Sequence, residues 1–260
     1  MSRTLRLPRV DGSLAPYTPG RHKPVPAAAG PIRSRIAFAA VHVVADPLAN
    51  INPTLETRLD WDATLAYRRY LWSLGLAVAE AMDTSQRGMG FDWATAKELI
   101  RRSVAEARTV PGAVLASGAG TDHLEPSLRV TLADVEAAYE EQCAWIESSG
   151  GRIILMASRA LAACAKSPDD YVKVYGRILA QVREPVIIHW LGDVFDLALA
   201  GYWGSPDLDQ ASETLLAIVQ DHAARIDGVK ISLLDQQREI AMRRRFPRGV
   251  HMYSGDDFDY

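Results

Sequence analysis

Three features of the sequence predict an α/β fold, a (β/α)8 TIM barrel truncated after its seventh strand. Short apolar runs alternate with amphipathic stretches along most of the chain, the pattern of parallel strands joined by right-handed crossovers. Polar and reactive residues gather where those runs end, on the face where barrel enzymes build their sites. No glycine-rich dinucleotide fingerprint follows the first strand, which counts against the open doubly wound sheet.

The first stretch, residues 1–33, carries Pro8, Pro16, Pro19, Pro24, Pro26 and Pro31 and reads as an extended arm ahead of a barrel domain over 34–260. Arg35–Val44 supplies strand one, stopped by Asp46-Pro47. Asp60 opens a helix that runs to about Leu74, with Gly75 as its C-cap. Strand two is Leu76–Ala81, followed by the polar loop Met82–Gly88, a helix from Asp92 to Arg108, and strand three at Ala113–Ala116. After the loop Ser117–His123, Thr131–Ser148 is helical, with Thr131 and Asp134 spaced as a capping box. Strand four at Arg152–Met156 precedes a helix over Ser167–Val182, whose start Ser167-Pro168 marks. Strand five is Val186–Trp190, and a helix spans Asp209–Arg225. Strand six holds Lys230, Gln236–Arg245 is helical, and strand seven is Val250–Tyr253. An eighth strand and the helices that would follow it are lacking.

Strand six is the stretch around which the reading turns. Gly228-Val229-Lys230-Ile231-Ser232-Leu233-Leu234-Asp235 reads as a buried strand, with Val229, Ile231, Leu233 and Leu234 as its apolar residues. Lysine is rarely buried without a partner. On a sheet edge its stem would snorkel to water. In a dry pocket, desolvation lowers the pKa of the amine, which can then attack a carbonyl. His189 at the end of strand five suits proton transfer near neutral pH, although an isolated histidine is more often a satisfied core residue. The other strand ends carry Thr84, Ser85 and Gln86, Gly118 and Gly120, and Ser254, Asp256 and Asp257. Each has a local reading as a turn or cap residue; their common position at strand ends argues for a site.

Composition narrows the class further. The chain has 260 residues, 48% hydrophobic and 23% charged, with a net charge of -3. That is the profile of one large globular α/β domain, and it gives no reason to expect nucleic-acid binding. No apolar run approaches the ~18 residues of a membrane span, and no apolar signal segment follows the N-terminal basic residues. Cys143 and Cys164 stand apart with no Cys-x-x-Cys pairing, so free thiols in a reducing cytoplasm are expected.

Gly228-Val229-Lys230 resembles the strand-six Gly-Ile/Val-Lys of the dihydrodipicolinate synthase and N-acetylneuraminate lyase family of Schiff-base aldolases. Ser254-Gly255-Asp256-Asp257, 24 positions after Lys230, resembles that family's Ser-Gly-Asp-Asp loop. Met82–Gln86 is similar to its Gly-Thr-Thr-Gly-Glu segment, with Thr84 at the second threonine and Gln86 at the glutamate. Gly118-Ala119-Gly120 is similar to its glycine-rich loop after strand three. The likeness covers about Arg35 to Tyr260, and more closely still the chain resembles a dihydrodipicolinate-synthase-like branch of unknown function. The resemblance implies Lys230 as the Schiff-base residue and a substrate held by Thr84, Ser85, Gln86, Gly118, Gly120, Ser254, Asp256 and Asp257. It implies no cofactor, a small-molecule substrate, and leaves assembly into a homo-oligomer open.

The chain also departs from the family. His189 stands where the family has its proton-shuttling tyrosine. Met156-Ala157-Ser158-Arg159 offers no tyrosine after strand four, and Asp83-Thr84-Ser85 lacks the glycines of the Gly-Thr-Thr loop. An insertion around Asp196–Ser212 lies where it would reshape the pocket entrance. The function expected is a carbon–carbon lyase or aldolase acting on a keto acid or sugar-derived keto compound. The alternatives are a metal-dependent barrel isomerase or hydrolase using His42, His123, His189 and Asp257, or a barrel without catalysis.

Overall fold

The computed structural model describes residues 4–20, 35–52, 56–88 and 90–255. Within the arm, Leu5–Pro8 (β1) and Leu14–Tyr17 (β2) pair antiparallel. Gly12, at φ +79°, lets the chain reverse between them. The density of prolines hides this hairpin in the sequence, because prolines are otherwise read as punctuation.

The remaining strands are Phe38–Ala40 (β3), Ala77–Glu80 (β4), Leu115–Ala119 (β5), Arg152–Leu155 (β6), Val186–Leu191 (β7), Ile226–Ser232 (β8) and His251–Ser254 (β9). They form one seven-stranded sheet in chain order, every pair parallel. Helices Trp61–Ser73 (α1), Trp93–Ala107 (α2), Leu132–Ser148 (α3), Arg159–Cys164 (α4), Pro168–Gln181 (α5), Leu208–Asp221 (α6) and Gln236–Arg243 (α7) fall between them. The sheet curls into a half-barrel. Phe38 on β3 meets Tyr253 on β9 edge-on at 5.7 Å between ring centroids, so the curl brings the two outer strands within side-chain reach.

Local chemistry explains why these segments fold as they do. Asp60 and Asp92 accept hydrogen bonds from the first turns of α1 and α2, and Thr131 with Asp134 closes the expected capping box on α3. Along the strands, side chains alternate between two cores. Val229 and Ile231 of β8, Ile188 and Trp190 of β7 and Leu155 of β6 pack outward under the helices. Ala79, Met82, Ala116, Ile154 and Ile187 point inward, joined by Phe38, Ala40, Met156 and Tyr253. By the same alternation Gly228, Lys230 and Ser232 face the barrel interior.

The Lys230 strand differs from expectation at its carboxyl end. It begins earlier, at Ile226, and stops at Ser232; Leu234 takes φ +58°, a left-handed turn that cannot continue a strand. In the helix–sheet layer Arg68 and Glu80 form a bidentate ion pair at 2.8 and 2.9 Å, both side chains fully buried. Ser103 and the Ala81 amide also donate to Glu80. Cys143 and Cys164 are free thiols. No helix among the described residues is long and apolar enough to cross a membrane.

Candidate active site

Lys230 is centred in the site by its neighbours across the sheet. It pairs in register with His189 on β7 and with Tyr253 on β9, so all three point to the interior. His189 is 1% exposed, and its Nε2 lies 3.2 Å from the Ser232 hydroxyl. Burial drives the His189 pKa well below the usual histidine value, and the adjacent Lys230 charge pushes the same way. The imidazole is therefore neutral. Ser232, two residues beyond Lys230 and on the same face, is the site residue that sequence reasoning missed; strand parity was the available signal.

Two glycines shape the space around the amine. A Cβ on Gly255 would overlap the Ser232 hydroxyl and fall 2.9 Å from both the Ile231 carbonyl and Lys230 Cε. The Gly255 amide donates to that same carbonyl at 2.7 Å. The Ser254-Gly255 segment thus closes directly on the lysine, and only glycine fits. At Gly228 a Cβ would fall 2.5 Å from the Tyr253 ring, so this glycine admits the ring beside Lys230. The Tyr253 hydroxyl donates to Asp227 at 2.7 Å, and burial followed by this bond raises its pKa far above the phenol range.

The remaining sequence candidates divide. Gly118 lies inside the barrel, where a Cβ would strike Met156 Sδ, Met82 Sδ and the Ala81 carbonyl. The Gly120 amide donates to Gln142 Oε1 at 2.7 Å. Asp83–Ser85 form a 3-10 turn after β4; Ser85 is buried with its hydroxyl on the Met82 carbonyl at 2.7 Å, while Thr84 and Gln86 are exposed. Ser254 ends β9. Asp256 and Asp257 lie outside the described residues.

Arg87 also escaped the sequence reading, since an arginine in a polar loop looks like a solvated one. It is 2% exposed and donates to the carbonyls of Ala81 and Gly118, both at 3.0 Å, to Asp122 at 2.5 and 3.0 Å, and to Gln142 at 2.7 Å. It ties together the carboxyl ends of β4 and β5. Burial opposes ionisation of Asp122, yet the Arg87 and Gln142 hydrogen bonds prevail and hold its carboxyl below the usual range. The insertion around Asp196–Ser212 sends two of its aromatic side chains away from the barrel interior. Tyr202 and Trp203 are driven into the helix layer against Tyr171 and Tyr175, and the Tyr202 hydroxyl accepts from the Ser158 amide at 3.0 Å. Asp196, at its start, reaches Arg159.

The histidines considered for a metal site stand apart. His42 tilts against Tyr67, His123 stacks on Trp93, and His189 sits inside the barrel. Among the described residues no three His, Cys, Asp or Glu side chains converge.

The curled parallel sheet and the helices between its strands define a truncated (β/α) barrel, and comparison with solved structures agrees. The chain is similar to 2-keto 3-deoxygluconate aldolase from Picrophilus torridus, with a TM-score of 0.58 and 14% identity over 86% of this chain and 68% of that one. It is also similar to the dihydrodipicolinate synthases of Oceanobacillus iheyensis and Agrobacterium tumefaciens str. C58, each with a TM-score of 0.51 and with 16% and 15% identity. Those two matches cover 84% of this chain and 59% and 63% of theirs, so the chain spans less than two thirds of either synthase. Residues 5–260 match the profile of the family described as protein of unknown function (DUF993), and the chain belongs to that family. No curated protein matches it.

Proposed function

We infer that this protein is a Schiff-base-forming carbon–carbon lyase or aldolase acting on a keto acid or sugar-derived keto compound. The observation that carries this reading is the inward Lys230, flanked in register by His189 and Tyr253 on the barrel interior. The fold likeness to an aldolase and to two synthases of the same architecture supports it.

In this reading the amine of Lys230, once deprotonated, adds to the keto carbon. The carbinolamine loses water, and the iminium takes up the electron pair of the bond between the α carbon and the hydroxyl-bearing carbon beyond it as that bond breaks. The hydroxyl proton of the departing aldehyde goes to a base, a proton returns to the enamine carbon, and hydrolysis releases Lys230. His189 is neutral and has Ser232 at hydrogen-bond distance, so the pair can hydrogen-bond the groups that exchange protons beside the amine. Ser254, Asp256 and Asp257, following Tyr253, and Thr84, Ser85 and Gln86 after β4 are the candidates for holding the rest of the substrate, with Gly118 and Gly120 keeping the mouth open.

Reduction with borohydride in a mixture of keto acids and keto sugars tests the assignment. The expected result is a mass increase on the peptide containing Lys230, lost in Lys230→Met while the circular dichroism is unchanged. The variant should fold, since an apolar chain of similar length takes the place of the lysine stem on the barrel interior. Labelling that persists in Lys230→Met, or a wild type that never labels, would refute the reading.

A further inference from the structure

We propose that Arg159 binds a second anionic group of the substrate, so that the compound acted on is a keto acid carrying a carboxylate or phosphate remote from its keto carbon. This rests on the reading of Lys230 as the reacting amine. Arg159 is the first residue of α4 and follows the end of β6 at Leu155. It therefore stands at the carboxyl end of the barrel, the end at which Gly255 closes on Lys230.

Loops from both sides converge on this guanidinium. Asp196, after β7, accepts from its Nε at 2.5 Å. Gly88, after β4, lies against its other edge: a Cβ there would fall 2.6 Å from Nη1 and 3.5 Å from Asp122 Cβ. Gly88 also holds φ +70°, so both backbone and space call for glycine where the arginine passes.

The contrast with Arg87 assigns the role. Arg87 is enclosed, and its Nε and both Nη groups are used by protein acceptors; it is structural. The Arg159 side chain is 29% exposed. Among the described residues its hydrogen bonding is confined to Nε, and both Nη groups are without an acceptor. A guanidinium fixed through Nε presents Nη1 and Nη2 as a flat fork, which matches a carboxylate or phosphate edge. The neighbouring acids are already neutralised, Asp196 by Arg159 itself and Asp122 by Arg87, so an incoming anion meets no unpaired carboxylate from them.

The test compares 2-oxoglutarate with 2-oxopentanoate, which has the same chain without the distal carboxylate, and adds glutarate, which has no keto group. In the wild type, borohydride labelling of Lys230 should reach half-maximum at a concentration about tenfold lower for 2-oxoglutarate than for 2-oxopentanoate. Arg159→Gln should erase that preference, and Arg159→Lys should restore part of it. By calorimetry glutarate should bind the wild type and Lys230→Met alike, and Arg159→Gln at least about tenfold more weakly. An unchanged preference and unchanged glutarate affinity in Arg159→Gln, or no glutarate binding by the wild type, would overturn the proposal. If no keto acid labels Lys230 while glutarate affinity still follows Arg159, the aldolase reading fails and the anion site stands. Labelling that ignores Arg159 gives the reverse.

Discussion

His189 is enclosed on the barrel interior and faces Lys230, and burial first, then the neighbouring charge, holds its pKa well below 6.5. The unfolded chain titrates near that ordinary value. Above it both states are neutral and the residue is indifferent to pH. Below it the unfolded state takes up a proton that the folded state refuses, so the stability contribution is lost as pH falls from about 6.5. A fully refused proton costs about 1.4 kcal/mol for each pH unit below that value. We expect the urea unfolding free energy to fall between pH 7.5 and 5.5, and His189→Gln to reduce that fall by roughly 1 kcal/mol. A variant with the same pH dependence as the wild type would show that His189 is not held neutral. At this scale Lys230 and His189 were legible in the sequence because a lysine and a histidine interrupt apolar strands. Ser232 was legible only through strand parity, and Arg87 was not, since arginine in a polar loop has so many solvated roles that only the fold distinguishes it.

At the scale of elements, β4 is locked to the helices above it by one buried ion pair. Arg68 bonds Glu80 through two nitrogens and also donates to the carbonyls of His42 and Thr64, tying the loop after β3, α1 and β4 together. Arg68→Met removes the cation and leaves a fully buried carboxylate with, among the described residues, Ser103 and the Ala81 amide as its donors. Breaking such a pair costs about 3–5 kcal/mol, whereas replacing both members with apolar residues is often close to neutral. Urea denaturation should therefore show a large loss in Arg68→Met and recovery of most of it in Arg68→Met combined with Glu80→Leu. A single variant as stable as the wild type would mean that the pair does not hold the layer together. Most elements were legible because their apolar periods are unambiguous over ten or more residues in the helices. The short helix α4 was not, as six residues beginning at Arg159 give too few turns for a period to register. The packing of Tyr202 and Trp203 was equally hidden, since Trp203 adopts φ +67° in an irregular segment that no pattern anticipates.

For the molecule as a whole, the decisive relation is between the curl of the sheet and the position of Lys230. Chain-order pairing from β3 to β9 puts β8 next to the last strand, with β9 as its outer neighbour. Among the described residues neither β3 nor β9 has a further strand beside it. The edge contact of Phe38 with Tyr253 spans the gap between them, and Tyr253 is the residue paired with Lys230. The outer strand therefore carries one wall of the site while having hydrogen-bonded strand support on one side only. Local opening follows such asymmetry, because an outer strand has fewer buried contacts to lose than a central one. Amide exchange should be slowest in β7 and β8 and fastest in β3 and β9. Phe38→Ala, which removes the ring that rests on Tyr253, should speed exchange in β9 further and reduce borohydride labelling of Lys230, while β6 and β7 remain as protected as before. Protection of β9 equal to that of β8 in the wild type would show that its outer edge is covered in solution, and the link between the closing contact and the site would fall.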